Sequence, residues 1–175
     1  MKFAAEYIKT SNNVENMRAK GKVSRISVER LCAGPAIPLL YAFMKKQHPE
    51  LESVLEQTKH FDDVTAKDII NLGMTTEDPL CIMVMRKFLR IFGTAVGNYV
   101  LKTLPYGGVY LMGGVCMGMH DFIIKEYYLF MDAFHNKGRL SDLMRQFPVF
   151  LVHPSMNIGI LGAEELARRI LIKKI

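Results

Sequence analysis

Apolar and polar residues follow two different spacings along this chain, one typical of helices and one typical of buried strands. Over residues 77–102, apolar side chains cover more than half of a helical circumference, which predicts a long helix buried on most sides. Continuous apolar runs fill residues 109–112 and 148–152, as in strands buried on both faces. A helical pattern at about residues 121–134 separates these runs. We therefore predict a right-handed crossover between two parallel strands.

Shorter helical patterns flank this central part, and capping residues mark several of their ends. They predict further helices at residues 3–9, 28–33, 38–47, 66–73, 141–146 and 160–173. Ser27 and Thr65 stand where they could cap two of these helices. Thr75, Thr76 and Pro79 indicate the start of the long helix, because threonine caps and proline suits the first turn. Strands that alternate with helices place the chain in the α/β class.

Glycines mark the points where the backbone could approach another group closely. Gly113 and Gly114 follow the carboxyl end of the first strand, where ligands bind in open α/β sheets. With no Cβ in the way, a backbone can come close to a flat or charged ligand. The alternative is a tight strand-to-helix turn, since the pair lacks a full Gly-x-Gly-x-x-Gly pattern. Gly93 and Gly97, four residues apart on the long helix, predict the close approach of another element.

Glu29 is a second candidate, since it stands at the start of a short helix beside Arg30. It either stabilises the helix dipole or accepts hydrogen bonds from a ligand hydroxyl. The five histidines show no metal-ligand spacing, so we predict no metal site; only His153, which follows a strand end, is a weaker functional candidate. No nucleophile elbow, P-loop or Cys–His pairing occurs. The residues alone therefore contain no self-sufficient catalytic set.

Composition narrows the class of protein. The chain has 175 residues, half of them hydrophobic and 23% charged, which suits one globular domain. No apolar run reaches the roughly 18 residues of a membrane helix, and residues 1–6 lack a signal-peptide layout, so no membrane partner is expected. Cys32, Cys81 and Cys116 are typical of buried thiols in a reducing compartment. The net charge of +6 could favour phosphates, but the basic residues are scattered, which indicates a solvated surface and no nucleic acid partner.

Several short motifs stand in a fixed order along most of the chain. They are Ser-Val-Glu-Arg at 27–30, Gly-Pro at 34–35, Phe-Gly at 92–93, Gly-Gly-Val at 107–109 and 113–115, Lys-Gly-Arg at 137–139, Pro-Val at 148–149 and Gly-Ile-Leu-Gly-Ala at 159–163. Their order and spacing resemble the C-terminal half of the bacterial-type glucokinases, which are also found in some protists. The resemblance implies an α/β fold: the C-terminal part of an actin-like ATPase (ribonuclease H-like) domain, helix-rich with a short parallel β pair.

The resemblance also implies an activity and roles for the candidate residues. Glucokinases transfer the γ-phosphoryl group of ATP, which carries Mg²⁺, to the 6-hydroxyl of glucose. The glutamate of the family's Ser-x-Glu-Arg segment binds sugar hydroxyls, which gives Glu29 a substrate-binding role. The glycine pair after the inner strand is the family's adenosine motif, so Gly113 and Gly114 would face the adenine and ribose of ATP or ADP. The chain departs from the family at one position: the family usually has Gly-Pro-Gly where this chain has Gly34-Pro35-Ala36.

Other parts of the family pattern do not occur in these 175 residues. They are the Asp-x-Gly-Gly-Thr phosphate loop, the Asn-Asp pair whose Asp is the catalytic base, and the Gly-Glu-Gly-Gly-His sugar loop. We therefore expect residues 1–175 to be a partial C-terminal large domain that lacks the N-terminal half of the enzyme, contains no catalytic residue and is inactive alone. A non-catalytic sugar- or nucleotide-binding or regulatory module of the same fold is the alternative.

Two further expectations follow from the resemblance and from the end of the sequence. Homodimers that form through the larger domain are common in the family, so a homodimer is expected here. The final Lys-Lys-Ile does not match the Ser-Lys-Leu peroxisomal signal, which favours the cytoplasm, with a glycosome-like organelle as the alternative.

Overall fold

A computed structural model describes residues 27–58, 60, 63–76 and 78–172. The helices in these ranges are α1 (Glu29–Cys32), α2 (Ala36–Gln47), α3 (Val54–Thr58), α4 (Ala66–Thr75), α5 (Pro79–Thr103), α6 (Gly114–Gly118), α7 (His120–Lys125), α8 (Tyr127–His135), α9 (Ser141–Met144) and α10 (Ile158–Ile172). The strands are β1 (Val109–Leu111) and β2 (Val149–Leu151), and a 3₁₀ turn spans Gly138–Leu140. The helix predicted at 3–9 lies outside the described residues.

Helix α5 is the centre of the core. It packs against α2, α4 and α8, and its buried side chains include Leu80, Val84 and Phe88. The predicted burial on most sides is confirmed for the first half of the helix, whereas Tyr99 near its end is exposed. The described helices are too short or too polar to cross a membrane. The core is therefore built on a long amphipathic helix of the kind the pattern predicts.

The start of α5 differs from the prediction. Asp78, rather than Thr75 or Thr76, caps the helix: its Oδ1 accepts a hydrogen bond from Cys81 N at 2.9 Å, and Pro79 takes the first helical position. The Oδ2 atom of Asp78 also accepts a bond from Val54 N at 3.1 Å. Burial raises the pKa of Asp78, but the hydrogen bonds from Cys81 N, from the Ser53 side chain and from Val54 N together outweigh it and hold this pKa below its ordinary value. This cap therefore also ties α5 to the start of α3.

Close helix packing at two glycines is confirmed. A Cβ on Gly93 would overlap the carbonyl group of Phe130 on α8. A Cβ on Gly97 would lie 2.6 Å from the carbonyl oxygen of Phe134. The Nζ of Lys137 reaches into the same seam and donates a hydrogen bond to Thr94 O at 3.1 Å. The two glycines therefore set how closely α8 lies against α5.

The single helix predicted at 121–134 is two helices, α7 and α8, and a further short helix that was not predicted, α6, precedes them from Gly114. The backbone leaves helical geometry at Met119 (φ −106°, ψ 14°) and at Glu126 (φ −111°, ψ 24°). At the second break, Glu126 Oε1 accepts a hydrogen bond from Arg86 Nη2 on α5 at 2.6 Å, and its Oε2 accepts one from Tyr128 Oη at 2.7 Å. The contact with Arg86 thus lies at the break itself. The spacing of apolar residues does not indicate such a contact, so the break could not be predicted from it.

The two strands pair in parallel, as predicted, with Val109, Tyr110 and Leu111 opposite Val149, Phe150 and Leu151. The prediction that both faces are buried is wrong. Tyr110 is 60% exposed and Phe150 is 45% exposed, so one face of the sheet is uncovered by the described residues. A continuous apolar run shows that a strand can be buried on both faces, but it cannot show which residues cover them.

Of the two helix caps predicted at Thr65 and Ser27, one is confirmed and one is wrong. Thr65 forms the predicted cap and completes a capping box with Asp68, whose side chain accepts a bond from Thr65 N at 3.0 Å. Ser27 does not cap α1, because the chain is already helical at Val28 and the backbone oxygen of Ser27 accepts the bond from Arg30 N. At the start of α1, a backbone oxygen thus accepts the hydrogen bond that we expected the Ser27 side chain to accept.

Candidate functional site

A pocket of about 390 Å³ lies at the carboxyl ends of the two strands. Met112 and Gly113, directly after β1, form one side of it. Residues 152–159, which lead from β2 into α10, form the other side, and Met117 of α6 completes the lining. Ligands of open α/β sheets bind at this edge, so the pocket lies where the sequence predicted a ligand.

Gly113 has the backbone geometry of an open turn. Its φ of 102° and ψ of 174° belong to a region that glycine adopts far more readily than other residues. Gly113 is also the N-cap of α6, and its carbonyl oxygen accepts a hydrogen bond from Met117 N at 2.9 Å. Apart from Gly113 and its two chain neighbours, no atom of the described residues lies within 4 Å of the position a Cβ would take. Gly114 is equally open but does not line the pocket. The glycine pair is therefore a turn and also leaves space at the pocket.

The loop after β2 is held by bonds within itself. His153 Nδ1 lies 2.8 Å from Ser155 Oγ and accepts a hydrogen bond from Ser155 N at 3.2 Å. The backbone oxygen of His153 accepts a bond from Met156 N at 3.0 Å. Asn157 Oδ1 accepts one from Ile160 N at 3.1 Å and so caps α10. These local bonds fix the loop as one wall of the pocket.

A second histidine lies behind that wall. The rings of His120 and His153 meet edge to face with their centroids 5.2 Å apart, and His120 Nδ1 lies 2.9 Å from Asp121 Oδ1. Two imidazoles alone do not make a metal centre, and nowhere in the described ranges do three or more His, Cys, Asp or Glu side chains group so that they could hold an ion. The pair therefore packs the wall of the pocket.

The apolar part of the lining includes three methionines beside Val152, Pro154 and Ile158, and the sequence prediction missed all three methionines. Met112, Met117 and Met156 are 52%, 48% and 50% exposed. Apolar spacing marks such residues as core candidates and does not show that they face a cavity. Their positions could have indicated that they line a site, because each lies close to a glycine or in a polar loop after a predicted strand.

Glu29 does not line this pocket. It is exposed in the first turn of α1, and its carbonyl accepts a hydrogen bond from Ala33 N at 3.0 Å. The turn after α1 nevertheless reaches α6, because a Cβ on Gly34 would lie 3.4 Å from Val115 Cγ2. The structure thus places the segment that carries Glu29 near the helix that Gly113 caps, without bringing the two residues into one cavity.

Comparison with known proteins identifies the family to which this arrangement belongs. The glucokinase family model matches residues 1–170. The chain belongs to the glucokinase family. A glucokinase of a Synechocystis strain is 32% identical over 163 residues, which are 86% of this chain and 44% of that protein. A glucokinase of a Colwellia psychrerythraea strain is 30% identical over 139 residues, which are 79% of this chain and 40% of that protein.

A solved glucokinase structure supports the same family. The crystal structure of a glucokinase from an Antarctic psychrotroph is 28% identical, superimposes with a TM-score of 0.65, and covers 87% of this chain and 43% of its own. The glucokinase resemblance and the helix-rich fold with a short parallel β pair are thus confirmed. The chain spans less than half the length of the glucokinases it matches. The roles of Glu29, Gly113 and Gly114 stay predictions.

Proposed function

We propose that this chain is the nucleotide-binding portion of an ATP-dependent glucokinase, which transfers the γ-phosphoryl group of ATP to the 6-hydroxyl of glucose. The observation that carries this proposal is the position of Gly113 beside a pocket at the carboxyl edge of two parallel strands. Its φ of 102° and the open space beside it leave the backbone accessible to a flat ligand. The adenosine of ATP or ADP would occupy this pocket, with Gly113 in its wall and Gly114 in the adjoining turn, so that this glycine turn faces adenine and ribose.

The size and chemistry of the pocket support a small-molecule ligand. Its volume of about 390 Å³ falls within the usual range for such sites. Its lining combines thioether side chains with a few polar groups, as ligand pockets commonly do. Mg²⁺ would arrive on the ATP phosphates, since the described residues offer no cluster of metal ligands. This chain's residues would therefore bind the nucleoside part of the substrate.

Glu29 would bind glucose at a separate position. An exposed carboxylate can accept hydrogen bonds from two sugar hydroxyls, and Glu29 is exposed at the helix start. It lies outside the nucleotide pocket, as a residue for the second substrate should. The turn that follows α1 touches α6 through Gly34 and Val115, which keeps the two candidate sites on neighbouring elements.

The catalytic aspartate and the phosphate loops would come from a complementary N-terminal half, because these 175 residues contain neither motif. Residues 1–175 would then be a partial large domain that is inactive alone, and phosphoryl transfer would need both halves in position. Association as a homodimer in the cytoplasm belongs to the same proposal. The missing motifs also favour the second candidate, a non-catalytic sugar- or nucleotide-binding module of this fold.

A reconstitution experiment separates the two candidates. The purified chain is titrated with ATP and with glucose, and hexokinase-type activity is then measured in a coupled assay with and without a separately expressed N-terminal half of its own full-length gene product. We expect ATP binding by the chain, no turnover by the chain alone and turnover with the added half. Binding without turnover in the mixture would favour the non-catalytic module. A chain that binds no nucleotide at any concentration tested would overturn the proposal.

A further inference from the structure

We infer that Asn157 reads the base in the pocket, because its side-chain nitrogen is placed to donate a hydrogen bond to a ring nitrogen of adenine. The inference rests on the proposed nucleotide-binding function and goes beyond it, since it assigns recognition of the base to one side chain. Its basis is the position of Asn157 in the pocket wall and the hydrogen bond that fixes its amide group.

One end of the Asn157 amide is committed to helix α10. The Oδ1 atom accepts a hydrogen bond from Ile160 N at 3.1 Å, and the backbone oxygen of Asn157 accepts one from Leu161 N at 3.1 Å, as at the N-cap of a helix. Turning the amide over would set two donors, Nδ2 and the N–H of Ile160, against each other. The cap therefore holds Oδ1 toward α10 and leaves Nδ2, with its two hydrogens, for other partners.

The other end of the amide is available to a ligand. Among the residues that the structure describes, none accepts a hydrogen bond from Asn157 Nδ2. Asn157 is exposed and lines the pocket on the other side from Met112 and Gly113. The positive end of the α10 dipole lies at Oδ1 and polarises the amide, which makes Nδ2 a stronger donor. A donor of this kind favours ligands that offer an acceptor.

A hydrogen bond between the strand ends fixes the two sides of the pocket relative to each other. Val152 N donates to Leu111 O at 3.0 Å, so the pairing of the strands continues to the residue where the loop before α10 begins. A base bound between Gly113 and this loop therefore meets the Asn157 amide in a fixed position.

Adenine offers the acceptor that this donor requires. Its ring nitrogens N1, N3 and N7 accept hydrogen bonds, whereas its exocyclic amino group donates them. A free asparagine can bind adenine with both ends of its amide. Because the cap occupies Oδ1 of Asn157, we expect only the bond from Nδ2 to a ring nitrogen.

His153 is another pocket side chain with a nitrogen that could donate. Its Nδ1 accepts the hydrogen bond from Ser155 N, so the neutral ring carries its hydrogen on Nε2. The ring also packs edge to face with His120, with centroids 5.2 Å apart, which ties it to the wall of the pocket. We therefore assign the contact with the base to Asn157.

Three substitutions separate the two functions of Asn157. Serine and aspartate also cap helices, so Asn157→Ser and Asn157→Asp keep the cap and remove the Nδ2 donor. Both should weaken adenosine binding by about two- to tenfold, the range for one neutral hydrogen bond. Asn157→Ala removes the cap as well and should lower the helical circular dichroism signal. Asn98→Ser and Asn98→Asp, at an exposed position of α5 outside the pocket, are the matched controls.

Deaza analogues identify the group that Asn157 reads. 1-Deaza-, 3-deaza- and 7-deazaadenosine each have carbon in place of one ring nitrogen, and like adenosine they carry no charge that an introduced carboxylate would repel. One analogue should bind the parent chain about two- to tenfold more weakly than adenosine and should lose this disadvantage in Asn157→Ser. The methyl signals of Met117 and Met156, which line the pocket, report binding in NMR titrations of the 175-residue chain.

The outcomes are distinct. If Asn157→Ser and Asn157→Asp bind adenosine as the parent chain does, Asn157 only caps α10, and the inference is overturned while the proposed nucleotide site stands. The inference is overturned in the same way if no deaza analogue loses affinity, or if 2′-deoxyadenosine alone does, which would assign the contact to the ribose. If adenosine shifts neither methionine signal at any concentration tested, both the inference and the proposed function fail.

Discussion

Tyr110 and Phe150 stack on each other, with ring centroids 5.0 Å apart, on the face of the two-stranded sheet that the described residues leave uncovered. They are register partners in the middle of β1 and β2, and the candidate nucleotide pocket lies at the carboxyl ends of the same strands. Phe150 also packs over Gly108, where a Cβ would lie 2.7 Å from the ring. Large aromatic side chains fixed by such contacts and left open to solvent form an apolar surface that another protein surface could cover.

Gly113→Val should abolish nucleotide binding and also reduce stability. The φ of 102° is strained for a β-branched residue, which costs about 1–3 kcal/mol, and the valine methyl groups would fill the space beside the pocket. Binding of ATP by titration calorimetry and unfolding by urea measure the two effects separately.

Gly107→Ala is the matched control for that variant. In the described part of the chain, no atom beyond its two neighbours lies within 4 Å of a Cβ on Gly107 either, but Gly107 does not have a positive φ like that of Gly113, and it does not line the pocket. Its affinity for ATP should equal that of the parent chain. An unchanged affinity in folded Gly113→Val protein would remove Gly113 from the nucleotide site.

Gly93→Ala should destabilise the core, whereas Gly162→Ala should not. Both glycines lie in helices, but a Cβ on Gly93 would overlap the Phe130 carbonyl, whereas a Cβ on Gly162 would meet no other described residue within 4 Å. Overpacking at Gly93 should cost about 1–3 kcal/mol. Alanine at Gly162 should raise the free energy of unfolding by as much as about 1 kcal/mol, because glycine is a poor helix former. Urea unfolding of both variants checks the pair, and equal effects would mean that α8 does not lie against α5 as closely as described.

Stability should fall in acid partly through Glu126. Its hydrogen bond with Arg86 is the main cause that holds the pKa of Glu126 below the ordinary 4.5, with a smaller contribution from Tyr128. A carboxyl group with a lowered folded-state pKa stabilises the protein above its unfolded pKa, and this stabilisation is lost as the pH falls through the folded-state value. Glu126→Gln should therefore cost about 1.5 kcal/mol at pH 7, the low end for charged hydrogen bonds, because Arg86 is half exposed.

The measurement is urea unfolding of the parent chain and the variant between pH 7 and about pH 3. The two curves of unfolding free energy should converge below pH 4.5 as Glu126 of the parent becomes protonated. Glu164→Gln, at an exposed position on α10, controls for the general loss of one negative charge. Parallel curves for parent and Glu126→Gln would show that the contact with Arg86 contributes no pH-dependent stability.

The sequence predicted those features that depend on neighbours along the chain. Thr65 and Asp68 are three residues apart and form the capping box that their spacing indicates. The glycine spacing on α5 likewise predicted close packing before the partner, α8, was known. At the pocket, Gly113 was predicted because a glycine directly after an apolar run is a local signal for a strand end, where ligands bind in open α/β sheets.

Features set by distant contacts could not be predicted in this way. The α7–α8 break lies at Glu126, whose partner Arg86 is 40 residues away in the sequence. Asp78 caps α5 while it also binds Val54 N, which is 24 residues away. For the pocket, periodicity marks Met117 and Met156 as apolar without indicating that they face a cavity. Folding brings these residues together, so only the structure shows that they are neighbours.

Glu29→Gln should weaken glucose binding and leave ATP binding unchanged. Replacing a carboxylate that accepts sugar hydroxyls with a neutral amide should cost about 1.5–3 kcal/mol of binding free energy. The residue lies outside the nucleotide pocket, so the ATP titration is an internal reference. Glu164→Gln again serves as the exposed control. A variant that loses affinity for ATP and keeps its affinity for glucose would show that Glu29 is no sugar ligand.

The chain should associate with itself through the face that carries Tyr110 and Phe150. The rings are 60% and 45% exposed, and the pair of strands ends in edges whose backbone groups can bond another chain. Light scattering across a concentration series should give a mass above the 19.9 kDa of one chain. Tyr110→Lys places a charge on this face and should lower the association. Tyr99→Lys changes a tyrosine of similar exposure, 67%, on α5 and should leave it unchanged. A monomer at every concentration up to tens of micromolar, with cooperative unfolding, would show that the exposed aromatic pair needs no partner.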